Sequence, residues 1–365
     1  MKLKKLLLTL IVLILLLPYQ QINAESESPD ITAGAALLMD SKTSKILYSK
    51  NENEEMYPAS TTKIMTAILT IENCNLDDIV TVPYDAIATI PSGYSIAALQ
   101  TGEQLTVNQL LQLMMVHSAN DAANVLAFHV AGSIESFATM MNTKVAELGL
   151  EHTHFLNPSG MHNEDHYTTA YDLAKLMQYC MKNSTFRTIA GLKFCTVPAT
   201  NKYGERIFTS TNELLTLVDN RNVASNYYYK YAIAGKTGYT TEAKNCLVSV
   251  SNKDGFELIS VILSVGLYPN NISGKFVETK SLFNYGYDNY TLRKLREKDA
   301  IATQVEVGNG TKETKNLDLL ISDDITATIK QSDFNTEFEP EIQINENLHA
   351  PIAQGEVLGK ITYNI

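Results

Sequence analysis

Three short runs of this 365-residue chain carry the side-chain types needed to make and break an acyl bond. Ser60-Thr61-Thr62-Lys63 sets a hydroxyl three residues before an amine, and at the start of a helix that spacing puts both on one face. Ser118-Ala119-Asn120 sets a second hydroxyl beside an amide. Lys236-Thr237-Gly238, a triplet that occurs once, sets a cation beside a third hydroxyl. Taken singly, each has a plainer meaning. The first can be an N-cap serine with an exposed lysine, and the last a strand-end turn. Ser210-Thr211-Asn212 repeats the Ser-x-Asn spacing with no such company.

The chemistry explains the residue types. A serine hydroxyl is a weak nucleophile until a neighbouring base takes its proton. Lys63 can be that base when neutral, and burial, the positive end of its helix and the charge of Lys236 would all lower its pKa. Ser118 can relay a proton towards a leaving amine, and Asn120 can hold a substrate amide. Lys236 and Thr237 can bind the free carboxylate that ends a peptide. Two backbone N–H groups, those of Ser60 and Tyr239, would hold the oxyanion. None of these steps calls for a cofactor or a metal.

The elements that must position these residues are readable from periodicity. Ile31 to Met39 and Lys45 to Tyr48 flank Asp40-Ser41-Lys42-Thr43-Ser44 as a β-hairpin. From Ser60, apolar Ile64, Ala67, Ile68 and Ile71 fall at helical intervals, and Val107 to Leu148 reads as largely helical. Thr169 to Met181 makes a further helix. Leu247 to Val250 and Phe256 to Val265 are strands around an Asp254-Gly255 turn, and Lys275 to Tyr287 is a helix that can cover the sheet. Strands at both ends of a helical block give an α+β fold, an antiparallel sheet flanked by helices with that block inserted. Beyond about Arg293 the runs are short and strand-like, which predicts a small all-β sandwich over residues 291–365 and a catalytic domain over residues 25–290.

The order of the three runs matters more than any one of them. Ser-x-x-Lys at a helix start, Ser-x-Asn in a helical block and Lys-Thr-Gly on a strand resemble the motif set of the penicillin-recognising serine enzymes. The likeness extends to Tyr57-Pro58-Ala59 before the serine and to Asn120-Asp121-Ala122-Ala123. It continues in Asn157-Pro158-Ser159-Gly160, in His166 to Leu173 and in Gly235 to Thr240. Over about residues 31 to 290 the chain resembles the serine D-Ala-D-Ala carboxypeptidases of the low-molecular-mass penicillin-binding proteins, which also commonly carry a C-terminal β module. The resemblance implies a β-lactamase-like catalytic domain and Ser60, Lys63 and Ser118 as catalytic residues. Asn120, Lys236, Thr237, Gly238 and Tyr239 would bind substrate. It implies removal of the terminal D-alanine from peptidoglycan stem peptides, with β-lactams as covalent inhibitors. Residues 359–365 read as a strand, where that family commonly ends in an amphipathic helix that ties it to the membrane; either the anchor is absent or the given chain stops short of it, and membrane association stays open.

Neighbouring activities are distinguished by what they require. A class A β-lactamase shares the three motifs but needs a Glu-x-x-x-Asn loop, and Leu150 to Asp165 holds Glu151 and Glu164 without that spacing. A D,D-endopeptidase or a transpeptidase would share the same acyl-enzyme. His152, His154, His162 and His166 lie close together, but on a stretch broken by Pro158 and Gly160 and without H-E-x-x-H, so they read as loop histidines rather than zinc ligands. A catalytically silent wall-binding protein would have no need of all of Ser60, Lys63, Ser118, Asn120 and Lys236.

Composition bounds the setting. Lys2, Lys4 and Lys5 precede an apolar run from Leu6 to Leu17, with Pro18 after it and the small Ala24 beyond, which is a signal-peptide pattern over residues 1–24 and implies export. Removing it takes three lysines and no acid, moving the net charge from −11 to −14. That balance excludes nucleic acid as a partner. Cys74, Cys180, Cys195 and Cys246 lack metal or redox spacing and are expected as unpaired thiols, with Cys246 in the core.

Overall fold

The computed structural model describes residues 28–218, 225–311 and 315–365. The expected signal segment lies outside them. The opening hairpin is β1 (Ala35–Asp40) and β2 (Ile46–Lys50), after which a 3-10 turn over Ala59–Thr62 runs into α1 (Lys63–Asn73). A short ladder of β3 (Ile79–Thr81) and β4 (Gln104–Thr106) encloses the single-turn α2 (Tyr84–Ile87). The stretch expected to be largely helical from 107 to 148 is three helices: α3 (Val107–Val116), α4 (Asn120–Ala131) and α5 (Ile134–Glu147). They are divided at Ser118, where φ is 63°, and at Gly132, where φ is 80°. Backbone in that left-handed region cannot continue a right-handed helix.

The further helix is α6 (Ala170–Cys180), whose N-cap Thr169 accepts a hydrogen bond from the Asp172 N–H. Next come α7 (Ser184–Ala190) and a hairpin of β5 (Phe194–Val197) and β6 (Arg206–Thr209), elements too short to leave a periodic trace in the sequence. The remaining strands of the main sheet are β7 (Ala232–Thr240), β8 (Lys244–Lys253) and β9 (Phe256–Val265). Asp254 and Gly255 join the last two with φ of 54° and 87°, as a type I′ turn requires. Two-residue strands β10 (Leu267–Tyr268) and β11 (Ile272–Ser273) lead into α8 (Gly274–Asn289).

The sheet runs β2-β1-β9-β8-β7, antiparallel throughout, so strands from the two ends of the helical block meet at β1 and β9. Successive residues of a strand face opposite sides. Leu37, Met39, Val248, Ile259 and Val261 pack with the helical block. Leu38, Leu247, Leu258 and Ile262 pack instead with Phe276, Leu282 and Phe283 of α8. The result is three layers, with β7 left as one edge of the sheet.

From Tyr290 the chain is all β. Strands β12 (Tyr290–Arg296), β13 (Ile301–Glu306), β14 (Asn316–Leu320), β15 (Ile325–Lys330), β16 (Pro340–Ile344) and β17 (Gly359–Tyr363) pair as β12–β15, β13–β14 and β16–β17. The small all-β unit expected here is built from three two-stranded ladders, with Val307, Ile321, Ile329 and Leu358 among its buried side chains. Thr328 joins this module to the hairpin. Its hydroxyl bonds Asp40 and lies 2.8 Å from that of Thr43, and its carbonyl accepts from Lys45 Nζ at 3.0 Å. The four cysteines are free, and Cys246 is buried in the core as expected.

Candidate active site

The nucleophile turn is built around strain. Ala59 has φ of 47°, unusual for a residue with a Cβ. Thr61 Oγ1 donates to Pro58 O at 2.7 Å and Thr62 Oγ1 to Ala59 O at 2.8 Å, so the turn is held by its own threonines. Ser60 stands on this 3-10 turn rather than on the helix itself, which begins at Lys63. In a 3-10 turn residues three apart eclipse. That brings Lys63 Nζ to 2.9 Å from Ser60 Oγ.

Lys63 is completely buried. Its Nζ also lies 2.6 Å from Asn120 Oδ1 and 2.5 Å from the Ser159 carbonyl. Two of its three neighbours can only accept. A neutral amine has two N–H donors and one lone pair, and donating both to the carbonyls turns the lone pair towards the Ser60 hydroxyl. Burial, followed by the charge of Lys236, holds the Lys63 pKa well below its usual value, although Asp121 opposes this.

Lys236 sits in the middle of β7, also buried, with Nζ 3.0 Å from Ser118 Oγ and 2.9 Å from Thr237 O. Burial and the neighbouring Lys275 bring its pKa down to about 7. Ser118 occupies the left-handed link between α3 and α4, which lifts its hydroxyl out of the helical ladder. Gly238 explains why the triplet ends in glycine. A Cβ there would lie 3.0 Å from Pro58 O and 3.1 Å from Ser60 N. Only a bare backbone lets β7 come this close to the nucleophile turn. Tyr239 follows, 64% exposed on the rim.

These residues open on one cleft of about 520 Å³, lined by Ser60, Ser118, Asn120, Thr237, Gly238 and Tyr239 together with Ser92 to Ser95 and Thr211. All eight residues singled out in the sequence are therefore brought together, Lys63 and Lys236 from beneath.

Several participants escaped the sequence reading. Thr211, in the Ser-x-Asn repeat that had seemed idle, has Oγ1 2.7 Å from Thr237 Oγ1. Lys275 also lines the cleft, with Nζ 3.1 Å from Asn245 Oδ1. The loop at Asn157 supplies the carbonyl that meets Lys63. Asn157 Oδ1 accepts from the N–H groups of Ser159, Gly160 and Met161, an Asx-type turn signalled by the Asn-Pro and Ser-Gly dipeptides. His166 is buried against the nucleophile turn, its pKa lowered to about 3, chiefly by burial. The Leu156 N–H donates to its Nδ1, so Nε2 carries the proton and points it at Thr62 Oγ1, 2.9 Å away. The other loop histidines are dispersed, with His154 on Asp165 O and His152 beside Glu55. Among the described residues no group of three His, Cys, Asp or Glu side chains is placed to hold a metal ion. Glu151 and Glu164 are exposed, and neither lines the cleft.

A serine on a strained turn, with a buried lysine within hydrogen-bond reach of its hydroxyl, defines a serine acyl-transfer enzyme of the kind that uses Lys in place of His. The sequence matches the D-alanyl-D-alanine carboxypeptidase family over residues 22–266 and the penicillin-binding protein 5 C-terminal domain over residues 290–365. It is 29% identical over 368 residues to D-alanyl-D-alanine carboxypeptidase DacF of Bacillus subtilis, covering 98% of this chain and 90% of that one. Penicillin-binding protein 5 of Haemophilus influenzae superposes with a TM-score of 0.77 at 28% identity, over 93% of this chain and 94% of the other. A variant of the DD-transpeptidase of Streptomyces K15 does so with a TM-score of 0.63 at 34% identity, over 71% and 99%. The chain belongs to the D-alanyl-D-alanine carboxypeptidase family of serine peptidases.

Proposed function

We propose that this enzyme removes the terminal D-alanine from peptidoglycan stem peptides through an acyl-enzyme on Ser60, and that β-lactams acylate the same hydroxyl. The observation that carries this reading is the orientation of Lys63. Two carbonyls take its N–H donors and leave its lone pair for the Ser60 proton. As that proton moves to Lys63, Ser60 Oγ attacks the carbonyl of the penultimate D-alanine. The oxyanion would be held by the N–H groups of Ser60 and Tyr239.

The Asn120 amide carbonyl is turned to Lys63, which leaves its NH₂ to donate to a substrate carbonyl. Lys236 and Thr237, with Lys275 and Thr211 behind them, offer charge and hydroxyls to the C-terminal carboxylate. When the C–N bond breaks, Ser118 relays the proton taken from Ser60 to the departing amine. Water then hydrolyses the ester, delivering hydroxide to the acyl carbon and a proton back to Ser60. Neither Glu151 nor Glu164 lines the cleft, so the loop that would carry the water-activating glutamate of a class A β-lactamase brings none to it; a penicilloyl ester would turn over slowly, which favours penicillin binding over β-lactamase action.

The signal-peptide pattern of residues 1–24 supports export to the cell wall side of the membrane. The two family matches support a division near residue 290 between the catalytic unit and the β module. Ser60→Ala tests the central claim. It should abolish both D-alanine release and labelling by a tagged penicillin while the protein stays folded, and a labelled Ser60→Ala protein would remove Ser60 from the role.

A further inference from the structure

Among the described residues lining the cleft, two side chains carry a formal charge at neutral pH, Lys275 and Glu242. They are not partners. Lys275 reaches Asn245, and the groups that act on its charge are Cys246 and then Glu213. Glu242 is exposed in the turn that joins β7 to β8, and among the described residues no hydrogen bond or ion pair involves its carboxylate. Opposite charges held apart in one open cleft favour a ligand whose charges are spaced to match.

The edge position of β7 gives that ligand a direction. The C-terminal carboxylate belongs at Lys236 and Thr237, and the scissile carbonyl belongs beside Ser60, against Gly238 and Tyr239. The rest of an extended peptide must then run antiparallel to β7, towards Thr240 and Glu242, as an added strand. Three residues of strand rise separate Tyr239 from Glu242 at most, about 10 Å. The residue before the two D-alanines lies one rise, roughly 3.4 Å, along that path. A four-carbon side chain bearing an amine spans the remainder.

We propose that Glu242 is a specificity residue for this cleft: it pairs with a cationic side chain on the residue immediately preceding the two D-alanines. This rests on the D-alanine carboxypeptidase reading and adds to it the residue that would discriminate between a free and a blocked amine at that place.

The test compares two peptides that end in Lys-D-Ala-D-Ala, one with the lysine amine free and one with it acetylated. An ion pair at an open rim is worth little, so kcat/KM for the free amine should be higher by roughly three- to fivefold at low salt. The preference should fade as added salt shortens the range of the charges. Glu242→Gln should bring the ratio close to one, and Glu242→Lys should invert it. The ratio is internal to each protein, so a general loss of activity in a variant does not distort it. Equal rates in the unaltered enzyme, or a preference that survives Glu242→Gln, would overturn the role of Glu242 alone. Release of D-alanine from neither peptide by the unaltered enzyme would overturn the carboxypeptidase reading, and this inference with it.

Discussion

Lys63 and Lys236 are two fully buried amines placed against the hydroxyls of Ser60 and Ser118, at 2.9 and 3.0 Å. Their pKa values are both depressed. Burial and then the charge of Lys236 hold Lys63 well below its usual value, and burial with the neighbouring Lys275 brings Lys236 down to about 7. Once Lys63 is neutral it no longer opposes the charge on Lys236. Divided in this way the pair would supply a neutral base and a cation, the two roles that acylation of Ser60 by a peptide with a free C-terminal carboxylate requires.

This division predicts a bell-shaped pH dependence. For a peptide substrate, kcat/KM should rise as Lys63 loses its proton and fall above about 7 as Lys236 loses its own. Lys63→Arg should be nearly inactive, because guanidinium does not release a proton near neutrality. A flat profile, or an active arginine variant, would contradict the assignment. Stability carries the same signature. A lysine depressed in the folded state binds fewer protons there than in the unfolded chain, so its burial costs most below its folded pKa. That cost is relieved as pH rises from about 7 towards 10.5. Denaturation of the unaltered protein and of Lys236→Met should show the former gaining on the latter across that window.

Gly160 predicts the importance of the close approach beneath Ser60. Its φ is 81°, and an added Cβ would lie 1.8 Å from the Ala59 carbonyl oxygen. That gap cannot be absorbed without moving the nucleophile turn. Gly160→Ala should lose on the order of a hundredfold in penicillin acylation, as a displacement of about 1 Å at a reacting group does. It should also lower stability by about 1–2 kcal/mol from the left-handed backbone alone. A folded Gly160→Ala protein that acylates at the original rate would show that the contact does not set the position of Ser60.

The β module should be dispensable for chemistry. Among the described residues, none beyond Lys275 lines the cleft, and the three layers of the catalytic unit close with α8. A chain ending at Asn289 should acylate at close to the full rate. Losing Thr328 leaves Asp40, Thr43 and Lys45 exposed to water, which replaces their bonds, so the cost should be about 1–2 kcal/mol and visible as a lower melting temperature. A shortened protein that is folded by circular dichroism and yet fails to acylate would place the module in the site.

Residue types, their order and their periodicity carry the chemistry and the layer plan. Ser60, Lys63, Ser118, Asn120 and Lys236 are named by residue type and order. Long elements such as α6, α8 and β9 are visible because a buried face repeats with a fixed period over many residues. What those residues can do depends on contacts that form on folding. The lone pair of Lys63 is aimed by the Ser159 carbonyl, and Ser159 lies in a loop far from Lys63 in the chain. The Ser60 turn is braced by His166, and β7 reaches it through a bare Gly238. Periodicity reports which side of an element is apolar and says nothing about which loop a buried amine will face. Thr211 shows the difference most simply: it looked idle in the chain and lies 2.7 Å from Thr237 in the fold. Contacts between residues distant in sequence are fixed by packing, and it is packing that sets the distances and the burial on which the reactivity of Ser60 depends.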